Sequence, residues 1–203
     1  MMKSGMDQEI FAQVRSKVWA LLARGVAHSR DPMHCVSLAT DSVQGCQVRT
    51  VILRGADEKE RTLTCFSDAR AAKVGEIREN GHVQWLFYHP RKQIQLRISG
   101  PAAVHTDDRV ADACWAQVKG FSRLNYCTEH PPGTPIDQPS SGLPARLVRQ
   151  LSHLMHSDAG RSNFVAIVGI VDSIDWLRLS KTGNIRARFQ WDNDRVKSFW
   201  VVP

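Results

Sequence analysis

The sequence predicts a mainly β domain of the α+β type, in which antiparallel strands close, or nearly close, into a barrel with flanking helices. Strand-like segments outnumber helical ones, and they are short, closely spaced and joined mainly by turns. The regular strand–helix alternation of a Rossmann sheet is missing, as is its G-x-G-x-x-G fingerprint. We expect one domain over residues 1–203, because this length is close to the usual domain size of roughly 150 residues.

Residues 1–30 predict an N-terminal helix. Asp7 can cap it, Gly25 stands near its end, and apolar residues recur between them at helical spacing. These apolar positions are Ile10, Val14, Val18, Leu21 and Leu22. The hydrophobic period then changes to two, which predicts strands over 33–40, 47–56 and 61–66, followed by a short helix over about 68–79.

The second half of the chain continues with strands. Strand-like runs over 82–89 and 92–105 flank a turn at Pro90-Arg91, and Asp107 or Asp108 can begin a helix that ends near Val118. Residues 125–144 are rich in Pro, Gly and Ser, which predicts a long loop. This loop is either a lid or part of the site, or it is a disordered surface insertion. We expect a helix over 145–155 and strands over 163–172, 174–180, 185–191 and 195–202.

Composition narrows the class of protein. A chain with 42% hydrophobic and 23% charged residues can bury a core, which argues against disorder. The excess of 27 Lys and Arg over 20 Asp and Glu gives a net charge of +7, which suits nucleic acid, an anionic membrane or a phosphate-bearing molecule equally. Five cysteines without a C-x-x-C pair argue against disulfide and zinc scaffolds. We expect reduced thiols in a cytoplasmic, soluble protein with no metal site.

Two segments in the first half of the chain can carry chemistry. The strand Arg49-Thr50-Val51-Ile52-Leu53-Arg54 has an arginine at each end, and the residues 66–73 cross a strand end and a helix start. Because the first turn of a helix offers free N–H groups, Arg70 and Lys73 can form a phosphate site there. The alternatives are a snorkelling arginine at a strand end and a solvated basic helix face.

Two further segments lie in the second half. Gln95 belongs to an alternating strand, and its amide can hydrogen-bond the edge of a heterocycle as both donor and acceptor. Arg186 and Arg188 share one face of a late strand, an arrangement that an anion or solvent must offset. Ordinary half-exposed strands explain both segments equally well when each is considered alone.

In this order, the four segments resemble the pyridoxamine 5'-phosphate oxidase-like family of FMN-binding split β-barrels, from about His34 to Pro203. The resemblance implies the split-barrel fold, FMN as cofactor, and a homodimer with FMN at the subunit interface. The flavin contacts that it implies are Arg49, Thr50, Val51, Ile52, Leu53, Arg54, Phe66, Ser67, Arg70, Ala71, Ala72, Lys73, Gln95, Gln138, Trp176 and Arg188.

The substrate positions of the family differ in this sequence. The Lys, Tyr, Arg and Ser that hold the substrate phosphate correspond to Arg54, Lys119, Arg123 and Cys127, and the Arg-x-His pair corresponds to Asn184-Ile185-Arg186. We expect Arg54, Arg123 and Arg186 to bind substrate. The resemblance thus implies flavin binding more strongly than vitamin B6 oxidation, and no side chain is predicted as an essential acid or base.

These observations predict an FMN-dependent oxidoreductase in which a small substrate, anionic or neutral, transfers a hydride to the flavin, which carries the redox chemistry. A flavin-binding or sensing module without a substrate is the main alternative. A basic barrel that binds nucleic acid is a third hypothesis, which predicts a colourless protein and salt-dependent binding. Under the first hypothesis the partners are a second copy and a small molecule, without nucleic acid or membrane.

Overall fold

The structure is a computed structural model that describes residues 5–144 and 156–203. The described residues form three α-helices, nine strands and two short 3-10 helices. The elements, in chain order, are α1 (Gly5–Ala27), β1 (Cys35–Thr40), β2 (Gln47–Asp57), β3 (Thr62–Asp68), α2 (Ala72–Glu79), β4 (His82–His89), β5 (Ile94–His105), α3 (Arg109–Trp115), the 3-10 helices Gly120–Tyr126 and Arg161–Asn163, β6 (Phe164–Ile170), β7 (Ser173–Arg178), β8 (Ile185–Asp192) and β9 (Arg195–Val201).

The strands form one antiparallel sheet in the order β4-β1-β2-β3-β6-β5-β7-β8-β9, and β4 also pairs with β5. This extra pairing closes the first six strands of that order into a barrel, while β7, β8 and β9 extend from β5 beyond it. The predicted fold class, a split barrel of antiparallel strands with flanking helices, is confirmed.

β5 belongs to both parts of the sheet. Its residues 94–99 pair with β7, whereas its residues 102–105 pair with β6. Gly100 lies between the two segments, and a Cβ atom at this position would be 1.8 Å from the carbonyl oxygen of Ile170. Only a glycine therefore lets β5 and the end of β6 approach this closely at the point where the barrel opens.

The strands alternate between buried and exposed residues, and the buried residues form the core. On β4, Val83, Trp85 and Phe87 are buried while the residues between them are exposed. α1 covers the inner face of the β7-β8-β9 extension, where the ring of Phe11 lies 6.0 Å from that of Phe189 and 4.7 Å from that of Trp200. Val18 and Leu22 of the predicted apolar stripe are buried, whereas Ile10 is exposed, and Phe11 and Trp19, which lie beside the stripe, are buried instead.

The observed elements differ from the predicted ones around the site. Asp68 ends β3, where it pairs with Phe164, and α2 begins only at Ala72. α3 ends at Trp115, and a 3-10 helix occupies residues 120–126, where the long loop was expected to begin. The helix expected over 145–155 lies outside the described residues. No helix in the described part of the chain is long and apolar enough to cross a membrane.

Candidate functional site

β2 and β3 separate from each other at the middle of β2. They pair from Leu53 opposite Cys65 to Asp57 opposite Thr62, whereas residues 47–52 of β2 pair only with β1. The facing edges of the two strands are therefore free beyond Leu53. A gap between diverging strands leaves backbone N–H and C=O groups available to a planar ligand.

This gap is a cleft of about 310 Å³. Its lining joins residues of β2, β3 and the start of α2 to the 3-10 helix and the long loop: Thr50, Val51, Ile52, Arg54, Phe66, Ser67, Asp68, Ala71, Lys73, Asn125, Tyr126 and Pro132. The structure thus brings together most of the first-half residues predicted to contact FMN. Leu53 is buried in the barrel core, so its side chain does not line the cleft.

Lys73 provides the clearest anion-binding group of the cleft. Its Nζ donates a hydrogen bond to Oγ of Ser67 at 3.1 Å. Burial lowers the pKa of Lys73, and the nearby charge of Arg49 lowers it further. No side chain caps the N-terminus of α2, which lies one residue before Lys73. A bound phosphate would offset the desolvated ammonium and accept hydrogen bonds from the first turn of α2.

Arg49 is paired within the protein. It forms a salt bridge with Glu76 of α2, from Nη2 to Oε2 at 2.8 Å, and its Nη1 donates to Oγ1 of Thr40. It does not line the cleft, although its charge acts on Lys73. Its contact with the flavin phosphate stays a prediction. A phosphate bound near Lys73 could interact with the Arg49 guanidinium only alongside the Glu76 carboxylate.

Arg70 holds the long loop instead of pointing a free guanidinium into the cleft. Its Nη2 lies 2.7 Å from Oδ2 of Asp68 and donates to Oγ1 of Thr128 at 2.9 Å. Its Nη1 donates to the carbonyl oxygen of Thr128. The hydrogen bond with Asp68 raises the pKa of Arg70. Arg70 therefore connects the β3–α2 junction to the base of the loop, which explains its presence without an anion.

Arg54 lies at a β-bulge. Leu53 pairs with Cys65 and Gly55 pairs with Thr64, so Arg54 is the extra residue of β2. Such bulges redirect side chains, often beside active sites. The guanidinium carbon of Arg54 lies 5.7 Å from the ring centroid of Phe66, within the range of a cation–π contact.

Arg54 also lines a second cavity of about 330 Å³, which shares Phe66, Asn125 and Tyr126 with the cleft. Its remaining lining residues are Val26, Gln117, Val118, Lys119 and Ser122. Among residues 5–144 and 156–203, two cationic side chains, those of Arg54 and Lys119, and no carboxylate line this cavity. Burial raises the pKa of the Tyr126 phenol, which is therefore neutral at pH 7 and able to donate a hydrogen bond.

Arg123 does not line either cavity. Its Nε donates to the carbonyl oxygen of Val118, and its Nη1 donates to the carbonyl oxygen of Ser157 and to Asp158. The guanidinium also lies over Trp115, 4.6 Å from the ring centroid. The structure thus uses Arg123 to hold the 3-10 helix against the segment before β6, and its predicted role in substrate binding gains no support from this position.

The predicted residues of the second half lie elsewhere on the sheet. Gln95 on β5, Arg186 and Arg188 on β8 share the outer face, since Gln95 is opposite Leu177, which is opposite Arg186. None of them lines the cleft between β2 and β3. One protomer therefore holds two separate sets of predicted flavin contacts.

Asp175 of β7 lies between the arginines of this outer face. Its carboxylate accepts hydrogen bonds from Arg186, Arg97 and Arg188, of which the Arg186 contact is bidentate at 2.8 and 2.7 Å. Burial alone raises the pKa of Asp175, but the bonds and charges of Arg186 and Arg97 outweigh it and lower the pKa to about 2. A carboxylate of the protein, which sequence analysis missed, thus offsets the paired arginines.

Trp176 and Gln138 do not join either set. Trp176 is opposite Leu96 and Ala187, both buried, so it lies on the inner face beneath α1, away from Gln95 and Arg188. The β7 residue opposite Gln95 is Leu177. Gln138 is exposed in the loop and does not line the cleft, whereas Pro132 of the same loop does. The structure therefore does not place either residue beside the other predicted contacts.

Acidic and thiol groups are too dispersed to suggest a metal centre. Among residues 5–144 and 156–203, no group of three His, Cys, Asp or Glu side chains is arranged to hold an ion. The cleft instead offers a desolvated ammonium, a neutral phenol, hydroxyls and a free strand edge. This donor set suits a planar heterocycle that carries a phosphate.

Comparison with known proteins agrees with this donor set. Residues 16–106 match the family model described as pyridoxamine 5'-phosphate oxidase, FMN-binding domain. A pyridoxine/pyridoxamine 5'-phosphate oxidase of Crocosphaera subtropica is 32% identical over 104 residues, which are 51% of this chain and 42% of that protein. The match therefore spans less than half the length of this curated relative.

Two crystal structures share the fold over nearly the whole chain. A pyridoxamine 5'-phosphate oxidase-related, FMN binding protein of Nostoc punctiforme has a TM-score of 0.71 and 21% identity, and the match covers 93% of this chain and 96% of that one. PhzG of Burkholderia lata, in complex with tetrahydrophenazine-1-carboxylic acid, has a TM-score of 0.71 and 18% identity, with 100% and 98% covered. At these identities the likeness establishes the fold alone.

Proposed function

We propose that this chain, whose residues 16–106 belong to the pyridoxamine 5'-phosphate oxidase family of FMN-binding domains, is an FMN-dependent oxidoreductase for a small anionic substrate. The family match confirms the predicted family and its cofactor, FMN. The observation that supports the function is the continuous cleft and cavity between β2, β3 and the 3-10 helix, where cationic and neutral donors converge without a free carboxylate.

The cleft fits FMN by the chemistry of its donors. Lys73, Ser67 and the first turn of α2 would bind the phosphate, and the free edge of β2 at Thr50–Ile52 would lie along the ring system. A phosphate with close to two negative charges suits charge-assisted hydrogen bonds of this kind. FMN, when bound, accepts a hydride and passes the electrons to an acceptor, whereas the residues of this chain bind, orient and desolvate.

The cavity beside the cleft is the proposed substrate site. Arg54, at the bulge of β2, lines both the cleft and the cavity, and Lys119 also lines the cavity. Two cations without an acidic residue in the described lining favour an anionic group such as a phosphate or carboxylate. Tyr126, whose phenol remains protonated, can donate to the same substrate. Because Arg123 is bound to Val118, Ser157 and Asp158, we propose that it does not contact substrate.

Two copies of the chain would complete the site. Gln95 and Arg188 lie outside the cleft of their own protomer, so we propose that they contact the flavin of a second copy. The apolar side chains beside them support this arrangement: Leu86 and Tyr88 of β4 are opposite Arg97 and Gln95, and each is 44% exposed. Neighbouring exposed apolar side chains favour contact with a partner surface.

The decisive experiment is purification followed by absorbance, mass and turnover measurements. A yellow dimer that releases one FMN per chain on denaturation, and that consumes oxygen with pyridoxamine 5'-phosphate or other phosphorylated amines and alcohols, supports the proposal. A colourless protein that cannot be reconstituted with FMN contradicts it. A yellow protein that is inert toward a broad panel of donors favours the alternative, a flavin-binding module without a substrate. One observation supports this alternative: Arg123 and Arg186, both predicted to bind substrate, are hydrogen-bonded within the protein.

A further inference from the structure

Three arginines share one buried carboxylate on the outer face of the sheet. Oδ2 of Asp175 accepts hydrogen bonds from Nη2 of Arg97 at 2.5 Å, Nη2 of Arg186 at 2.7 Å and Nε of Arg188 at 3.2 Å. Oδ1 accepts from Nε of Arg186 at 2.8 Å. The four residues, named here the Asp175 cluster, have a net charge of +2.

Strand register explains why these side chains meet. Asp175 of β7 is directly opposite Arg97 on one side and Arg188 on the other, and Arg186 lies two residues away on the same face of β8. Like charges this close on one face of a sheet destabilise it unless an anion lies between them. Only 8% of the Asp175 side chain is exposed, against 46% for Arg97 and 41% for Arg188.

The cluster leaves donors unused. Arg188 binds Asp175 only through Nε, and Arg97 only through one Nη2, so within residues 5–144 and 156–203 their other N–H groups donate to no acceptor. A guanidinium that is fixed at one edge presents its other edge in a defined orientation. Such an arrangement suits a ligand that accepts hydrogen bonds, because little side-chain entropy is lost on binding.

We infer that Asp175 is a positioning residue, which orients Arg186 and Arg188 for their contacts with the flavin and the anionic substrate. The inference rests on the proposed function, in which Arg188 of one copy contacts the flavin of the other, and on the predicted substrate contact of Arg186. It adds a residue to which neither the family resemblance nor the cleft assigns a role. Arg97 becomes part of the same unit, because it shares Oδ2 with both other arginines.

Charge and orientation predict opposite effects when Asp175 loses its charge. Asp175→Asn raises the net charge of the cluster from +2 to +3, so electrostatic attraction alone would tighten the binding of an anion. If Asp175 acts by orientation, the same substitution weakens binding, since the amide donates toward the guanidinium groups and releases them. The sign of the change in affinity therefore separates the two explanations.

The test compares the full-length wild type with Asp175→Asn, Asp175→Glu and the control Asp194→Asn. Asp194 is exposed in the turn between β8 and β9, so its substitution removes the same charge from the same sheet without touching the cluster. FMN affinity is measured by quenching of flavin fluorescence, and folding is measured by urea unfolding. We expect affinity to fall about tenfold or more in Asp175→Asn, to recover partly in Asp175→Glu and to stay unchanged in Asp194→Asn.

A second measurement does not depend on flavin. Modification of arginines by phenylglyoxal, followed by peptide mass mapping, reports whether Asp175 holds them. We expect Arg186 and Arg188 to react several-fold faster in Asp175→Asn, while the exposed Arg178 reacts at the same rate. Unchanged reactivity, or affinity that is equal or tighter in a folded Asp175→Asn, would overturn the inference. Wild type that fails to bind FMN would instead overturn the proposed function and, with it, the ligand-binding role of Asp175.

Discussion

Nη2 of Arg49 lies 2.8 Å from Oε2 of Glu76, so the arginine that the family resemblance assigns to the flavin is paired with a carboxylate of α2. The pair is largely buried, with 23% and 12% of the two side chains exposed. Thr40 completes the group, because its hydroxyl donates to Glu76 and accepts from Arg49. Glu76 and an FMN phosphate would thus compete for the same guanidinium.

Glu76→Gln tests this competition. The substitution keeps the side-chain volume but removes the charge, so Arg49 becomes available to phosphate, and we expect FMN affinity to rise a few-fold. The protein without flavin should lose about 1 kcal/mol of stability, since a partly buried pair is broken beside the cationic Lys73. Flavin fluorescence titration and urea unfolding measure the two effects. Glu79→Gln, at an exposed position at the end of the same helix, is the control. Lower FMN affinity in Glu76→Gln would show that Glu76 positions Arg49 for the phosphate and does not compete with it.

Lys73→Gln should weaken FMN binding by about 10- to 100-fold, since one charge-assisted hydrogen bond contributes roughly 1.5 to 3 kcal/mol. Because burial and Arg49 lower the pKa of Lys73, the ammonium of the flavin-free protein loses its proton at a lower pH than an ordinary lysine. FMN affinity of the wild type should therefore fall as pH rises through that lowered pKa, and this fall should be absent in Lys73→Gln. Lys59→Gln, at the exposed β2–β3 turn, should match the wild type. Equal pH profiles in Lys73→Gln and wild type would contradict the phosphate assignment.

Local pattern predicted much of the fold. Residues 82–89 form a strand-like run in the sequence, and the structure forms β4 over the same residues. The short helix was predicted to begin at about residue 68, but pairing of Asp68 with Phe164 extends β3 to that point. Pairing between residues so distant in sequence leaves no local signal, so the sequence did not show that the strand continues there.

The site was predictable only within single strands. The first-half segments meet in one cleft because β2, β3 and α2 are adjacent in both sequence and space. Trp176 was assigned with Gln95 from its place in a motif, yet one residue of register moves a strand side chain to the opposite face. Asp175 was missed, although a lone acid between Ile174 and Trp176 in the middle of a strand is a usable signal for a buried ion pair.

Lys119→Met tests the substrate cavity. Removal of this ammonium leaves Arg54 as the remaining cation of the cavity lining, so an anionic substrate should bind more weakly. With a phosphorylated donor such as pyridoxamine 5'-phosphate, we expect KM to rise about tenfold and kcat to change little, because the lost contact would bind the substrate equally in the ground state and the transition state. FMN content should be unchanged. A KM equal to that of the wild type would contradict the assignment of Lys119 to the substrate site. An equal rise in KM with the unphosphorylated form of the same donor would contradict it as well.

Cys65 should make the protein less stable at alkaline pH. Burial raises the pKa of its thiol from 9.0 to about 12 in the folded protein. Above pH 9 the unfolded chain loses this proton while the folded chain keeps it, so stability falls as pH rises from about 9 toward 12, by up to about 1.4 kcal/mol per pH unit. Urea unfolding from pH 8 to 10.5 should show a shallower decline in Cys65→Ala than in the wild type. Cys35→Ala, at an exposed position, should keep the wild-type slope, and equal slopes in all three proteins would contradict the assignment.

Gly100→Ala should prevent stable closure of the barrel at the opening where β5 changes partner from β7 to β6. A Cβ atom there would meet the carbonyl oxygen of Ile170 at 1.8 Å, and backbone on both sides must move to accept it. We expect a loss of about 3 kcal/mol or more, measured by urea unfolding. Gly75→Ala is the matched substitution, because a Cβ at this exposed position of α2 meets nothing within 4 Å. It should stabilise the protein by about 0.5 to 1 kcal/mol through helix propensity. A Gly100→Ala protein as stable as the wild type would show that β5 and β6 do not approach this closely, and that the barrel opens elsewhere.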